Sequence, residues 1–249
     1  PDYLAGLRAA ISPDRAGDSR SLKPGLAPHT LPAPGGRADA AAAPKEGSNT
    51  THYSIVDAAG NAVAVTTTLN DWFGAKVSAA GTGVILNNEM DDFTVKPGQP
   101  NLYGLVQGEA NAIAPGKRPL SSMSPTIVSR DGQPLIVLGT PGGSRIITAV
   151  LHTLLNLIDY GMDLQEAVDA PRFHQQWLPE TTALERYALS PDTRRLLEAM
   201  GQRFGPAAPA NHVAAILVGA PSLGGKPVPG LKVFGANDPR RRSGLAAGY

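Results

Sequence analysis

From Thr51 onward, polar and apolar side chains alternate. His52-Tyr53-Ser54-Ile55-Val56 and Ala62-Val63-Ala64-Val65-Thr66-Thr67-Thr68-Leu69 follow a period of two, which predicts two strands. Between them, Asp57-Ala58-Ala59-Gly60-Asn61 offers Gly and Asn for positive φ and predicts a hairpin turn. Gly83 to Asn88 reads as a short third strand. Thr126–Ser129 and Leu135–Leu138 flank Arg130-Asp131-Gly132-Gln133, a second hairpin. At Ser144 the period changes. That serine is placed to cap a helix reaching Tyr160, with Ile147, Val150, Leu151, Leu154, Leu157 and Ile158 as its apolar stripe and Gly161 past its end. Asp163 and Glu166 form a capping box for Leu164–Ala170, and Ser190-Pro191 opens a further helix ending near Gly201. His212–Val218 and Leu231–Phe234 read as closing strands. Strands, then helices, then strands predict antiparallel α+β layers rather than a doubly wound parallel sheet.

Ahead of Thr51 the pattern differs. Asp2 to Ile11 places Tyr3, Leu7 and Ala10 on one helical face beside Leu4 and Ile11, and reads as the last helix of something larger. Residues 12–49 hold six prolines, five glycines and the run Ala40–Ala43 without periodicity, which predicts an extended, mobile connector.

Composition narrows the chemistry. The 249 residues are 42% hydrophobic, enough for a sizeable core. With 17% charged residues and a net charge of +1, neither nucleic acid nor a membrane surface is expected as partner. The absence of cysteine removes disulfides, thiolate catalysis and Cys-built metal sites. No apolar run reaches the roughly 18 residues of a membrane span, and Pro1-Asp2-Tyr3-Leu4 does not open a signal peptide. His29, His52, His152, His174 and His212 lack metal-ligand spacing, so no metal is expected, and Arg240-Arg241-Arg242 reads as a solvated run.

Four local features stand out. Asn49-Thr50-Thr51-His52 sets two threonines where the connector meets the first strand. In Thr66-Thr67-Thr68-Leu69-Asn70, alternation sends Thr66, Thr68 and Asn70 to one face and Thr67 to the other. Lys117 to Pro125 carries the pair Ser121-Ser122. Thr140-Pro141-Gly142-Gly143-Ser144-Arg145 joins a strand to a helix start, where free N–H groups suit an anion. Each has an ordinary structural reading as well: threonines suit half-solvated strands, and paired glycines make tight turns. The glycine turn lacks both the Gly-Lys-Ser/Thr ending of a phosphate loop and GxGxxG.

Taken together, Thr50-Thr51-His52-Tyr53-Ser54, Asp57 to Val63, Leu86-Asn87-Asn88-Glu89-Met90-Asp91-Asp92-Phe93, Ser121 to Pro125 and Pro141 to Arg145 resemble the gamma-glutamyltranspeptidases, a family of N-terminal nucleophile hydrolases. The resemblance runs from Asn49 to Tyr249 and implies a four-layer α-β-β-α sandwich with two stacked antiparallel sheets between helical layers. Residues 1–49 would be the end of a large subunit and 50–249 the catalytic small subunit, partners from one precursor that cleaves itself between Asn49 and Thr50.

By that resemblance, Thr50 is the nucleophile, its freed α-amine the general base, and Thr68 its hydrogen-bonding support. Gly142 and Gly143 match the oxyanion hole, Asn70, Glu89 and Asp92 the residues that hold the substrate ammonium, and Ser121 and Ser122 the donors to its α-carboxylate. Glu89 stands where the family carries Glu or Gln. Pro97 to Gly108 resembles a lid loop, with Tyr103 as its gating aromatic, while Trp72 suits either the acceptor side or the core. The implied reaction is γ-glutamyl transfer from glutathione or related compounds to water, an amino acid or a dipeptide, without a cofactor, in a periplasmic or secreted protein. An arginine for the carboxylate is expected upstream of Pro1. Three alternatives remain: a cephalosporin or glutaryl acylase of the same fold, a non-catalytic anion-binding module built on Gly142-Gly143, and an uncleaved, inactive precursor.

Overall fold

The computed structural model describes residues 2–22, 50–205, 211–230, 232–241 and 244–248. His29, the alanine run, Asn49, Leu231 and Arg242 lie outside the described residues. Helix α1 spans Asp2–Ala9, with Tyr3, Leu4 and Leu7 exposed. The described part of the expected connector is docked, which corrects the mobile reading there. The Ala16 N–H donates to Met200 O at 2.7 Å, Ser19 N–H to the Glu180 carboxylate at 2.6 Å, and the Trp177 indole to Ser19 O at 2.6 Å. Backbone groups bonded to distant side chains leave no periodic trace in a sequence.

Strands β1 (Thr51–Val56) and β2 (Ala62–Thr67) form the expected hairpin, in register from Thr51↔Thr67 to Val56↔Ala62. The Asp57 carboxylate accepts the N–H groups of Ala59 and Asn61, and Gly60 turns at φ +84°. Residues 83–88 do not form a strand. Val84 and Leu86 remain exposed, and their backbones pair only locally with Ala75, Val77 and Ala79, because no sheet lies beside them to bury their side chains.

A four-stranded antiparallel sheet is built from β3 (Thr126–Arg130) and β4 (Gln133–Gly139), then, after the helices, from two closing strands. Helices α2 (Arg145–Ile158) and α3 (Leu164–Asp169) follow, then a two-residue ribbon, β5 (Phe173–His174) and β6 (Ala183–Leu184), helix α4 (Pro191–Ala199), and strands β7 (Ala214–Val218) and β8 (Val233–Asn237). The sheet order is β3-β4-β7-β8. Asp163 and Glu166 close their capping box, and Ser190 caps α4 through the Thr193 N–H.

Ile136 and Leu138 of β4 and Leu217 of β7 form a core with Ile146, Val150 and Leu157 of α2 and Leu164 and Val168 of α3. Each such side chain contributes roughly 1.5–3 kcal/mol on leaving water. Helix α2 is turned by about one residue from the expected stripe: Ile146, Ala149, Val150, Thr153 and Leu157 are buried, while Ile147, Leu151 and Ile158 are about half exposed. Ser144 does not cap this helix. Its own φ and ψ are helical and its hydroxyl donates to Gln176 at 2.7 Å. Arg240 is no surface residue either, since it bonds Glu185, Asp238 and the carbonyls of Val168, Asp169 and Ala170.

The fold is α+β, and these residues supply three of the four sandwich layers: the β1–β2 hairpin, the four-stranded sheet against it, and α2 with α3 beyond. A helical layer outside the hairpin is missing among the described residues. The consequence is inverted amphipathicity. His52, Ser54 and Thr66 face the sheet, while Tyr53, Ile55 and Val63 stand about half exposed on the outer side.

Candidate active site

Thr50 precedes β1 and is 5% exposed. Its hydroxyl donates to Thr68 Oγ1 at 3.0 Å, and the same oxygen accepts the N–H of Asn70 at 2.9 Å. Asn70 has φ +73°, a left-handed conformation that asparagine tolerates, so the chain turns sharply after β2. From there the Asn70 side chain donates to Asn88 O at 3.2 Å, and the Asn88 side chain accepts the Asp71 N–H at 2.9 Å. These bonds hold the acidic 3₁₀ turn Glu89–Asp92 beside the end of β2.

One small pocket results. Thr50, Thr68, Asn70, Glu89, Asp92, Tyr103, Ser121, Ser122 and Gly143 all line it. No Lys, Arg or His lines it among the described residues, and Glu89 Oε1 is buried without a hydrogen-bond partner. Burial, a hydrogen bond to Asp92 and the Asp92 charge push the Glu89 carboxyl up to about 7; burial and the Asp91 charge also raise Asp92. Two carboxyls without a local cation suit a ligand carrying an ammonium group. No group of three or more His, Asp or Glu among the described residues could hold a metal ion.

Gly142 and Gly143 lie between β4 and α2 with φ +133° and +56°. Neither N–H finds an acceptor among the described residues, so both remain available at the start of a 14-residue helix. Gly143 borders the pocket; Gly142 does not line it, and the Asn211 side chain packs against its Cα.

Tyr103 forms one wall of the pocket. It is 6% exposed, its hydroxyl donates to Asn70 O at 3.0 Å, and a Cβ at Gly143 would meet its ring at 2.8 Å. The pocket beside its ring is narrow, about 30 Å³. Leu105 of the same loop also lines a second cavity of about 220 Å³ with Asp91, Lys96 and Gln99. Trp72 is 51% exposed and lines neither cavity, so it is not a core aromatic.

Against this geometry, the gamma-glutamyltranspeptidase family model matches residues 1–248. The chain belongs to the gamma-glutamyltranspeptidase family. It is 67% identical over 248 residues to the glutathione hydrolase proenzyme of Pseudomonas sp. (strain A14), a match covering 100% of this chain and 40% of that protein. The Escherichia coli (strain K12) glutathione hydrolase proenzyme is 54% identical over 207 residues, 83% of this chain and 34% of its own length. The chain thus spans well under half the length of these relatives. A Helicobacter pylori gamma-glutamyltranspeptidase structure superposes with a TM-score of 0.69 at 51% identity, over 77% of this chain and 100% of that one. A Bacillus halodurans cephalosporin acylase, at 23% identity and TM-score 0.60 over 78% of this chain and 34% of its own, shares the fold alone.

Within this transpeptidase-family chain, two residues near the site had no role assigned from sequence: His52, which lies inside the Thr50–Ser54 motif, and Asn211. His52 is buried two positions after Thr50, and spacing rules aimed at metals pass over a single histidine. Asn211 is 5% exposed with neither side-chain polar atom bonded. A lone asparagine between loop and strand carries no sequence signal.

Proposed function

We propose that this chain is the part of a γ-glutamyl hydrolase and transferase that carries its nucleophile, Thr50. The observation that carries the reading is the buried Thr50–Thr68 hydroxyl bond, set in one pocket with Gly143 and an acidic turn. Cleavage of Asn49–Thr50 would turn an amide nitrogen into an amine able to act as general base, so no separate histidine is required. Thr50 Oγ1 then attacks the γ-glutamyl amide of glutathione or a related donor, the amine product leaves, and water or an amino acid or dipeptide takes the acyl group.

The remaining assignments follow from chemistry. The N–H groups of Gly142 and Gly143 stabilise the tetrahedral oxyanion, a contribution of the type whose loss costs about 10²–10³ in rate. Asn70, Glu89 and Asp92 hold the α-ammonium, and Ser121 and Ser122 donate to the α-carboxylate. These carboxyls argue against a glutaryl substrate, which has no ammonium to offer them. Tyr103 and the 97–108 loop act as a lid over this narrow pocket.

Residues 1–49 are read as the end of the large subunit and 50–249 as the small one. The partner is the upstream portion of the same precursor, which would cover the apolar outer face of the β1–β2 hairpin. No helix of the described residues is long and apolar enough to cross a membrane; a periplasmic or secreted location is proposed from the family resemblance. Intact-mass analysis of the full-length parent, as wild type and Thr50→Ala, tests the reading. Splitting at Asn49–Thr50 in the wild type alone supports it, and folded wild-type protein that stays whole overturns it.

A further inference from the structure

His52 is the buried titratable side chain nearest in sequence to the nucleophile, and the chemistry above gives it no task. It follows Thr50 by two positions on the inner face of the hairpin, and is 9% exposed. Its Nδ1 lies 2.8 Å from Thr66 Oγ1 and its Nε2 3.0 Å from Ser54 Oγ, while Ser54 Oγ lies 3.2 Å from Ala214 O. A carbonyl can only accept, so the Ser54 hydroxyl donates to Ala214 and must itself accept from His52 Nε2–H. Burial and neighbouring His212 push its pKa down to about 4, so near neutral pH the ring is uncharged, and Nδ1 then carries the lone pair that accepts from the Thr66 hydroxyl.

Two further contacts locate the ring between the sheets. A Cβ at Gly139 would overlap the imidazole, and the backbone there is not left-handed, so this glycine provides space rather than an unusual turn. Gly139 is the last residue of β4, three positions before Gly142. His52 and Thr66 are also directly paired across the hairpin, adjoining the bonded hydroxyls of Thr50 and Thr68. The imidazole thus touches β1, β2 and β4, and reaches β7 through Ser54.

We propose that His52 is a positioning residue: its neutral, Nε2-protonated ring fixes the Thr50–Thr68 pair in height and register over the Gly142–Gly143 turn. It touches no substrate. Its effect is on the geometry from which Thr50 attacks, where small displacements are costly to rate. The inference rests on Thr50 being the nucleophile.

The test uses the full-length parent protein with Thr66→Val, which removes the donor to Nδ1 at nearly constant shape, and with His52→Leu and His52→Gln. Self-cleavage is followed by intact mass, and kcat and KM with a γ-glutamyl donor. We expect Thr66→Val and His52→Leu to slow self-cleavage and lower kcat by about tenfold, the scale of one lost buried hydrogen bond, with KM within about twofold. His52→Gln, which keeps a donor and an acceptor, should recover most of the loss. Unchanged kcat in Thr66→Val, a KM that rises as far as kcat falls, or His52→Gln no better than His52→Leu overturns the proposal. If His52→Leu does not fold, Thr66→Val decides. Thr50→Ala separates the two levels: a cleaved or active Thr50→Ala removes the underlying reading, whereas an inert Thr50→Ala beside an undisturbed Thr66→Val removes only the role of His52.

Discussion

Thr68 Oγ1 accepts from the Thr50 hydroxyl at 3.0 Å and from the Asn70 N–H at 2.9 Å, so the candidate nucleophile is aimed by a residue that is itself held by the turn after β2. As Thr50 loses its proton the bond reverses, and the Thr68 hydroxyl donating to the developing alkoxide is worth about 1.5–3 kcal/mol, or roughly 10–100-fold in rate. Thr68→Val should reduce self-cleavage and turnover together by that factor, while Thr68→Ser should retain most of both. Parallel measurement of processing half-time and kcat checks it, and a Thr68→Val protein that processes normally would remove Thr68 from the mechanism.

The lid makes a second prediction. With Tyr103 seated on Gly143 and bonded to Asn70 O at 3.0 Å, the loop narrows the pocket from one side. Tyr103→Phe removes one hydrogen bond, about 1 kcal/mol of closure. It should speed product exchange and raise the proportion of hydrolysis over transfer. Quantifying free glutamate against γ-glutamyl dipeptide is the measurement; an unchanged ratio means the loop does not gate water.

Glu89 offers a test with a defined sign. Its carboxyl titrates near 7 in the fold and near 4.5 when free, so the folded protein binds the extra proton between those values and loses stability as pH rises through the window. Glu89→Gln removes that penalty. The variant should melt higher than wild type at pH 8, and the two should converge at pH 4. An ammonium-bearing ligand, by supplying a positive charge to Glu89 and Asp92, should narrow the difference at pH 8.

Two histidines act in the opposite direction. His52 and His212 titrate near 4 in the fold, the first through burial and then His212, the second through burial and then the Arg241 charge. Unfolding returns them toward 6.5, so the unfolded chain binds more protons between about pH 4 and 6.5 and stability falls as pH drops through that range. A His52→Gln, His212→Gln double variant should show a flatter melting temperature between pH 6.5 and 4.5 than wild type. Equal slopes would mean the rings contribute nothing to acid sensitivity.

What could be read in advance depended on how local the determinant was. The Asp163–Glu166 box and the Ser190 cap are closed within three or four residues, so residue types and spacing sufficed. Both hairpins were legible because turn chemistry and alternation agree, but the second turns more tightly than expected, with Arg130 paired to Gln133 and a register shift between Val128 and Ser129. Helix α2 was harder, since it is apolar almost all round and its pattern admits two faces; only packing against β4 selects Ile146 over Ile147. Ser144 looked like a cap because of its position, yet Gln176, 32 residues away, claims its hydroxyl. Within the pocket, the members came from ordered motifs, but nothing in those motifs indicated that Tyr103 would be seated on Gly143 or that Asn211 would back Gly142. Long-range pairings of this kind leave no periodic signature.

Arg240 is the extreme case, because a run of three arginines conceals a buried clamp. Arg172 Nη2 meets Asp238 Oδ2 at 2.6 Å with the two side chains 5% and 1% exposed, and Arg240 bonds both Asp238 and Glu185. Asp238 also accepts the Val213 N–H at 2.9 Å, so one carboxylate ties the end of α3, the start of β7 and the end of β8 together. Removing one partner of a buried pair leaves the other charge unpaired, a loss of about 3–5 kcal/mol, whereas the pair's own net worth can be near zero. Asp238→Asn should therefore lower stability by that amount, and a double Arg172→Met, Asp238→Leu variant should lose less than the single one. Urea unfolding of the three proteins gives the comparison. A double variant that loses as much as Asp238→Asn or more would show that the shape of the clamp, rather than its charge, holds these segments.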